Sequence, residues 1–338
     1  MVALNWPLQA PAPQDMRWLA VEDASAVPSC RTAGQALASR LGFPAARAEQ
    51  LALAVTEAAS NLYKHASQGS LLLRVNRDLE QPGVDLVTID AGPGLPDVSA
   101  ALRDGHSTAG TLGIGLGAIR RLADFCDLYS VPDHSTALVA RFWPAPGPPA
   151  IRCAGLVRPI TGEFECGDAY AAVRTGDTLT GVLCDGLGHG PLAAIAANEA
   201  VRAVLDRPAD EPAAAVARAH GRMSHTRGGA LAVVQVTGRL VRFCGLGNVA
   251  AVILADGSRK SMLSVPGIAG HQARAIRQFE YEAPPGAAII LHSDGLSSRW
   301  SPEAVPGLNA RDPLVAAAAL LAEAGTRRDD ASVLVLKP

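Results

Sequence analysis

The sequence predicts an α/β (α+β) chain of two domains, on three observations. At 338 residues it is longer than a single hydrophobic core ordinarily serves. A Pro-rich run, Phe142-Trp-Pro-Ala-Pro-Gly-Pro-Pro-Ala150, interrupts it, and repeated prolines permit neither helix continuation nor a sheet ladder. On both sides of that run, short apolar stretches alternate with amphipathic or Ala-rich ones, and several end in an acid followed by glycine. The expected division is a loose lead-in over 1–16, domains over 17–143 and 151–338, and a stiff linker over 144–150.

Composition narrows the function classes. Hydrophobic residues make up 49% and charged residues 18%, which favours buried cores over disorder. A net charge of -2 gives no electrostatic case for nucleic acid or an anionic membrane as a partner. No apolar run approaches the roughly 18 residues of a membrane span. The first residues lack the basic-then-apolar profile of a signal peptide, so a cytoplasmic location is expected. Six cysteines without a Cys-x-x-Cys pair read as reduced, mostly buried thiols.

In the first domain, residues 17–21 read as a short strand, and Ala33, Ala36, Leu37, Arg40 and Leu41 mark a helix over 33–41 that Gly42 ends. Pro44 opens a second helix over 45–64, with Leu51, Val55, Ala58 and Leu62 on its core stripe. Glu57, Asn61 and His65 recur four apart on another face, with Lys64 beside them. Spacing alone makes that a solvated polar face. Strands over 71–75 and 84–89 follow, joined by Glu80-Gln-Pro-Gly83. The second runs into Asp90-Ala-Gly-Pro-Gly94, where a carboxylate can accept from an exocyclic amine and glycines let a flat ring approach. Gly110-Thr-Leu-Gly-Ile-Gly-Leu-Gly117 then feeds a helix over 118–125, whose free N–H groups suit phosphates. Gly113-x-Gly115 is half of a dinucleotide fingerprint, but the preceding residues 106–111 are polar and no Gly-Lys-Ser/Thr occurs.

Taken in order, Glu57-x-x-x-Asn61, Asp90-x-Gly92-x-Gly94 and Gly113-x-Gly115-x-Gly117 resemble the GHKL (histidine-kinase-like) ATPases over about 18–142. Thr56-Glu-Ala-Ala-Ser-Asn-Leu-Tyr-Lys-His-Ala66 and Gly115-Leu-Gly-Ala-Ile-Arg-Arg-Leu-Ala-Asp124 are similar to anti-sigma-factor serine kinases of the RsbT and RsbW type, the RsbT branch above all. The resemblance implies a GHKL-type α/β sandwich that binds ATP and Mg²⁺. Asn61 would hold Mg²⁺ and Asp90 would meet the adenine amine. Gly92 and Gly94 would border the base, and Gly113, Gly115 and Gly117 would form the phosphate lid. Glu57 would take the proton from an attacking serine hydroxyl. Lys64 and His65 stay open between a phosphate contact and a structural or partner-contacting role.

In the second domain, strands are expected over 153–158, 168–174, 178–184, 230–236, 240–245, 250–254, 287–293 and 332–336, with helices over 193–205, 213–225 and 313–324. Helices inserted in a long antiparallel-looking strand series predict central stacked sheets with helices outside. The apolar run 179–184 stops at Asp185 and turns through three glycines, 289–293 delivers Asp294, and Asp329 and Asp330 precede the last strand. Gly167-Asp168 adds a fourth such acid, and carboxylates at strand ends beside freely bending backbone are how oxygen-liganded divalent ions are held.

Gly162-Glu-Phe-Glu-Cys-Gly-Asp168, Asp185-Gly-Leu-Gly-His-Gly190, Gly245-Leu-Gly-Asn248, Ser293-Asp-Gly295 and Asp329-Asp-Ala-Ser332 resemble the metal-dependent (PPM, type 2C) protein phosphatases, in particular the SpoIIE and RsbX branch. This resemblance spans about 151–337 and implies an α-β-β-α PPM sandwich. Asp168, Asp185 and the Gly186 carbonyl would hold two Mn²⁺ or Mg²⁺ ions, with Asp294 and Asp329 completing one site and Asp330 set aside. Glu163 stands where eukaryotic members carry a phosphate-binding arginine, so the phosphate has no evident anchor. His189 stays open between proton shuttle and turn stabiliser. Arg227-Gly-Gly229 reads as a turn that could also contact substrate.

Together the two resemblances imply a bifunctional regulator of a partner-switching pathway. A serine-kinase-like domain and a phosphoserine phosphatase would act on a STAS-domain anti-sigma antagonist, with a sigma factor or downstream switch protein as a further partner. The alternative is a phosphatase regulated by a non-catalytic nucleotide- or sigma-binding module.

Overall fold

The computed structural model describes residues 7–77, 81–101, 115–145, 152–255 and 257–338. It divides the chain into two units, Pro11–Ala150 on one side and Met1–Ala10 with Ile151–Pro338 on the other. The start of the chain corrects an expectation. Residues 8 and 9, expected in a loose lead-in, form β1 (Leu8–Gln9), which pairs antiparallel with a strand of the second unit, Leu8 opposite Ala172. Ala10 N continues the contact by donating to Tyr170 O at 3.0 Å. A sheet edge offers unpaired N–H and C=O groups to any extended segment that reaches it, and a Pro- and Ala-rich composition does not reveal that use.

The first unit is built from β2 (Met16–Ala20), α1 (Ala26–Arg40), α2 (Ala45–His65), β3 (Ser70–Asn76), β4 (Gly83–Asp90), the short α3 (Val98–Ala101), α4 (Gly115–Leu122), β5 (Phe125–Val131) and β6 (Ser135–Phe142). Its sheet runs β2-β3-β4-β6-β5, antiparallel throughout. The expected stripe of α2 is the one it buries: Leu51, Val55, Ala58 and Leu62 pack with Leu71, Leu73, Leu86, Leu138 and Ile119. Each fully buried leucine contributes about 2 kcal/mol by removal from water. α1 begins well before residue 33 because Pro28 falls in its first turn, where a missing N–H costs nothing. α4 begins at Gly115 rather than residue 118, and Gly117 is buried within it. α4 ends at Leu122, so Phe125, expected in that helix, instead opens β5; neither β5 nor β6 was expected, since Asp127, Ser130 and Arg141 interrupt their apolar pattern.

The second unit comprises β7 (Cys153–Arg158), β8 (Asp168–Thr175), β9 (Thr178–Gly186), α5 (Pro191–Leu205), α6 (Pro212–Arg222), β10 (Gly229–Thr237), β11 (Leu240–Leu246), β12 (Ala250–Ala255), β13 (Ser258–Ser261), β14 (Ser264–Val265), β15 (Gly267–Ile268), β16 (Gln272–Ala273), β17 (Phe279–Glu282), β18 (Ala288–His292), α7 (Pro313–Ala324) and β19 (Ala331–Leu336). One sheet runs β1-β8-β9-β10-β11-β14, with β17 also on β11, and the other runs β13-β12-β18-β19-β7. α5 and α6 cover the first sheet and α7 covers the second, with the two sheets face to face between them. Close approach of the sheets uses two missing side chains. A Cβ at Gly181 would sit 2.7 Å from Leu336 Cδ1, and at Gly155 2.6 Å from the Tyr170 ring. Tyr170 Oη donates to Gly155 O at 2.7 Å, satisfying its buried hydroxyl. No helix among the described residues is long and apolar enough to cross a membrane.

Candidate functional site

In each unit the described residues bring together part of the expected set. In the first, α2 and the end of β4 supply the polar groups. Among the described residues Asn61 Nδ2 is buried without a hydrogen-bond partner, and a Cβ at Gly115 would lie 3.1 Å from Asn61 Oδ1. The helix that follows the Gly-rich loop therefore starts directly against the Asn61 amide. Glu57 is one turn earlier on α2 and half-buried. Asp90 ends β4, with Oδ1 accepting from Gly92 N at 2.8 Å. Burial raises its pKa and the Gly92 hydrogen bond opposes the rise. Gly92 is confined by that carboxylate and by the backbone of His65 and Ala66, while Gly94 has φ +65 with the Val131 carbonyl against it. Gly94 admits no side chain, and a Cβ at Gly92 would displace the Asp90 carboxylate. Lys64 and His65 are exposed at the C-terminal end of α2. Gly113 lies outside the described residues, so the lid is represented by Gly115 and Gly117 alone. A buried amide nitrogen with no partner among the described residues and a half-buried carboxylate at a strand end fit the polar ends of a nucleotide and its Mg²⁺.

The second site lies where four strand ends meet. β8 begins with Asp168 and β9 carries Asp185 near its end, and antiparallel pairing sets the two directly opposite. β18 leads through Ser293 to Asp294, and Asp329 precedes β19. Asp168 is 4% exposed, yet among the described residues neither of its carboxylate oxygens has a hydrogen-bond partner of good geometry. The Ser293 and Ser332 hydroxyls are its polar neighbours and lower its pKa, but burial dominates and pushes it up to about 7, helped by Asp330 and Asp294. Asp185 is pushed up to about 9, by burial first and then by the charges of Asp168, Asp294 and Asp329. Asp294 is raised by burial and by Asp329. Carboxylates that raise one another's pKa share one small region.

Among the described residues, no three His, Cys, Asp or Glu side chains close into a cage around one point. Hard divalent ions do not require such a cage. Mg²⁺ keeps several waters and takes one or two carboxylates, and a two-ion site needs its donors spread over the gap between the ions. The orphaned Asp168 oxygens and the mutual repulsion of four acids fit a pair of divalent cations. Gly186 N donates to Gly167 O at 3.2 Å, and a Cβ at Gly186 would run into the Ala193 carbonyl, so this turn admits only glycine.

Asp330 is committed elsewhere, its two oxygens each accepting at 2.7 Å, one from Ile160 N and one from Gly167 N. It staples the loop that presents Asp168. Asp329 is exposed, with Oδ1 accepting from Asp330 N at 2.9 Å. His189 Nδ1 lies 3.1 Å from Glu163 Oε1, tying the turn after Asp185 to the loop before Asp168. Cys184 is fully buried beside Asp185, its thiol raised well above the usual range by burial. Sequence reasoning gave Asn248 no role, yet its Nδ2 donates to Asp294 Oδ2 and orients that carboxylate. Ser293 and Ser332 were likewise unassigned. Their signal was position: Ser293 directly precedes Asp294, and Ser332 follows Asp330 by two residues at the start of an apolar strand.

Residues 20–142 match the family model of the histidine kinase-like ATPase domain, and residues 175–338 match that of stage II sporulation protein E (SpoIIE). Serine/threonine-protein kinase RsbT of Bacillus subtilis (strain 168) is 34% identical over 115 residues, which are 34% of this chain and 86% of that protein. A solved structure from work on the bacterial stressosome, described as a modular system adapted to control secondary messenger signaling, is 27% identical. It aligns with a TM-score of 0.50 over 54% of this chain and 97% of its own. RsbX in complex with magnesium is 19% identical, with a TM-score of 0.46, over 54% of this chain and 92% of its own.

Proposed function

We propose a function on the premise that the chain belongs, through residues 20–142, to the RsbT family of histidine kinase-like ATPases and, through residues 175–338, carries a SpoIIE phosphatase domain. It is a bifunctional regulator of a partner-switching pathway: a metal-dependent protein serine/threonine phosphatase joined to an ATP-dependent protein serine kinase, both acting on one STAS-domain antagonist. The observation that carries the reading is the convergence of Asp168, Asp185, Asp294 and Asp329 in one unit of a chain whose other unit sets Asn61 against Gly115.

In the phosphatase unit, Asp168, Asp185 and the Gly186 carbonyl would hold two Mn²⁺ or Mg²⁺ ions, with Asp294 and Asp329 completing one site. When bound, the ions supply a water of lowered pKa and neutralise charge on the phosphoryl oxygens. The protein's own part is positional. Asn248 holds Asp294 by its amide, Asp330 fixes the loop before Asp168, and the Ser293 and Ser332 hydroxyls flank the buried carboxylate. In the kinase-like unit, Asp90 would accept from the adenine amine and Asn61 would hold Mg²⁺, with Gly113, Gly115 and Gly117 around the phosphates. Glu57 accepts the proton of the substrate serine.

The test is to incubate a STAS-domain protein with ATP and chains altered at one site at a time. Asp294→Asn should accumulate phosphoprotein, Glu57→Ala should leave the substrate unmodified, and the unaltered chain should fall between. If Asp294→Asn yields none while the chain still dephosphorylates a protein phosphorylated by another kinase, the first unit is a regulatory module.

A further inference from the structure

The substrate phosphate still lacks an anchor. Glu163 occupies the position where an arginine is expected, and in the fold its carboxylate is engaged with His189 at 3.1 Å. A phosphoester dianion entering a rim of carboxylates needs a fixed cation of its own, best a guanidinium that can grip two oxygens at once. We propose that Arg227 is the phosphate-binding residue of this phosphatase, an inference that rests on the phosphatase reading above.

Its place in the fold carries the assignment. A Cβ on Gly188 would lie 3.1 Å from Arg227 Nη1, so the guanidinium rests on the turn that follows Asp185 and Gly186. Gly188 has φ +92 and presents only backbone there, which leaves the cation uncovered. In the β9–β10 ladder Gly229 pairs with Gly186 and Ala230 with Asp185, so Arg227 lies two residues beyond the rung at the ligand carbonyl.

The segment is also rigid. Gly228 N donates to Thr226 Oγ1 at 3.0 Å, and Leu187 N donates to Gly228 O at 2.9 Å, fastening the arginine's segment to the metal turn itself. Gly229 and Ala269 exchange backbone hydrogen bonds of 3.1 and 2.8 Å on the other side. A donor held this way loses little on binding, which is what makes preorganised charges effective. The side chain is exposed, and among the described residues it makes no ion pair or hydrogen bond. Arg202, Arg222, Arg239 and Arg242 of this unit, by contrast, each pair with a carboxylate. Arg328, beside Asp329 in sequence, is a rival cation, but the side chain set against Gly188 is that of Arg227.

The experiment compares the full chain with Arg227→Ala, Arg227→Lys and Arg328→Ala in Mn²⁺, measuring hydrolysis of p-nitrophenyl phosphate and of a phosphoserine protein. Calorimetry with inorganic phosphate and with Mn²⁺ alone runs alongside. Loss of charge-assisted hydrogen bonds should raise KM for both substrates, and Kd for phosphate, by about 10- to 100-fold in Arg227→Ala. Mn²⁺ affinity and the melting temperature should stay unchanged. Lysine keeps the charge without the fork and should recover part of the loss. Unchanged KM and phosphate Kd in Arg227→Ala, or the same loss in Arg328→Ala instead, overturns the assignment. So does a change in Mn²⁺ affinity or melting that accounts for the loss, since Arg227 is then only part of the turn. If the unaltered chain shows no Mn²⁺-dependent hydrolysis, the phosphatase reading fails. The phosphate titration then judges Arg227 by itself, and equal affinity with and without the arginine rejects it.

Discussion

Asp168 and Asp185 face each other across the β8–β9 ladder as an antiparallel pair, one carboxylate at the start of its strand and the other near the end of its own. Like charges directly opposite on a sheet are destabilising, so this arrangement persists against its own electrostatics. Two carboxylates set this close destabilise the folded chain wherever both are ionised.

Replacing Asp185 with Asn should therefore have opposite effects on stability and activity. Burial and neighbouring acids hold the Asp185 carboxyl at about 9, far above its ordinary 3.8. In EDTA, Asp185→Asn should melt higher than the unaltered chain. In Mn²⁺ the order should reverse, with phosphatase activity falling by at least about 100-fold. Full activity of the variant, or of the unaltered chain in EDTA, would refute the metal assignment.

The same shifts set a pH dependence for the metal-free chain. Asp168 at about 7 and Asp185 at about 9 both lie above the ordinary value of 3.8, so the folded state binds protons more tightly than the unfolded one. Stability should fall as pH rises between about 4 and 9 in EDTA, most steeply below about 7 where both carboxyls contribute. Saturating Mn²⁺ should flatten that slope. Melting curves across the range decide it, and a rise in stability with pH would contradict the mutual repulsion described above.

Asp90 should decide the base. Asp90→Ala removes the acceptor for an exocyclic amine, so ATP affinity should drop by about 10- to 100-fold and preference over GTP should vanish. Calorimetry on the full chain measures both. Equal affinity of the unaltered chain for ATP and GTP would count against the adenine assignment.

β1 should matter to the phosphatase unit despite its length. Deleting residues 1–10 removes a buried Leu8 and the Ala10 hydrogen bond to Tyr170, a loss of about 1–3 kcal/mol. Denaturant melts of the full and shortened chains should show the difference in the transition of that unit, with nucleotide binding unchanged. Coincident transitions would mean the strand contributes nothing.

Much of this was legible in the sequence. The core stripe of α2 and the apolar strands that end in Asp185 and Asp294 follow from periodicity, because local burial patterns repeat with the element's own geometry. The ordered boxes from Glu57 to Gly117, and the acids from Asp168 to Asp329, were readable as motifs. Local pattern could not show what depends on pairing between distant segments. β1 is a strand only because an edge in residues 168–175 is open to it, and β5 and β6 are held by their neighbours in spite of Asp127, Ser130 and Arg141. Asp330 and Asp329 are the same residue type side by side, and only the fold assigns one to two backbone N–H groups and leaves the other at the site. Arg227 looked like part of a turn. Its meaning came from the register that brings β10 alongside β9, since a charge acquires a role from what tertiary contact sets within a few ångströms of it.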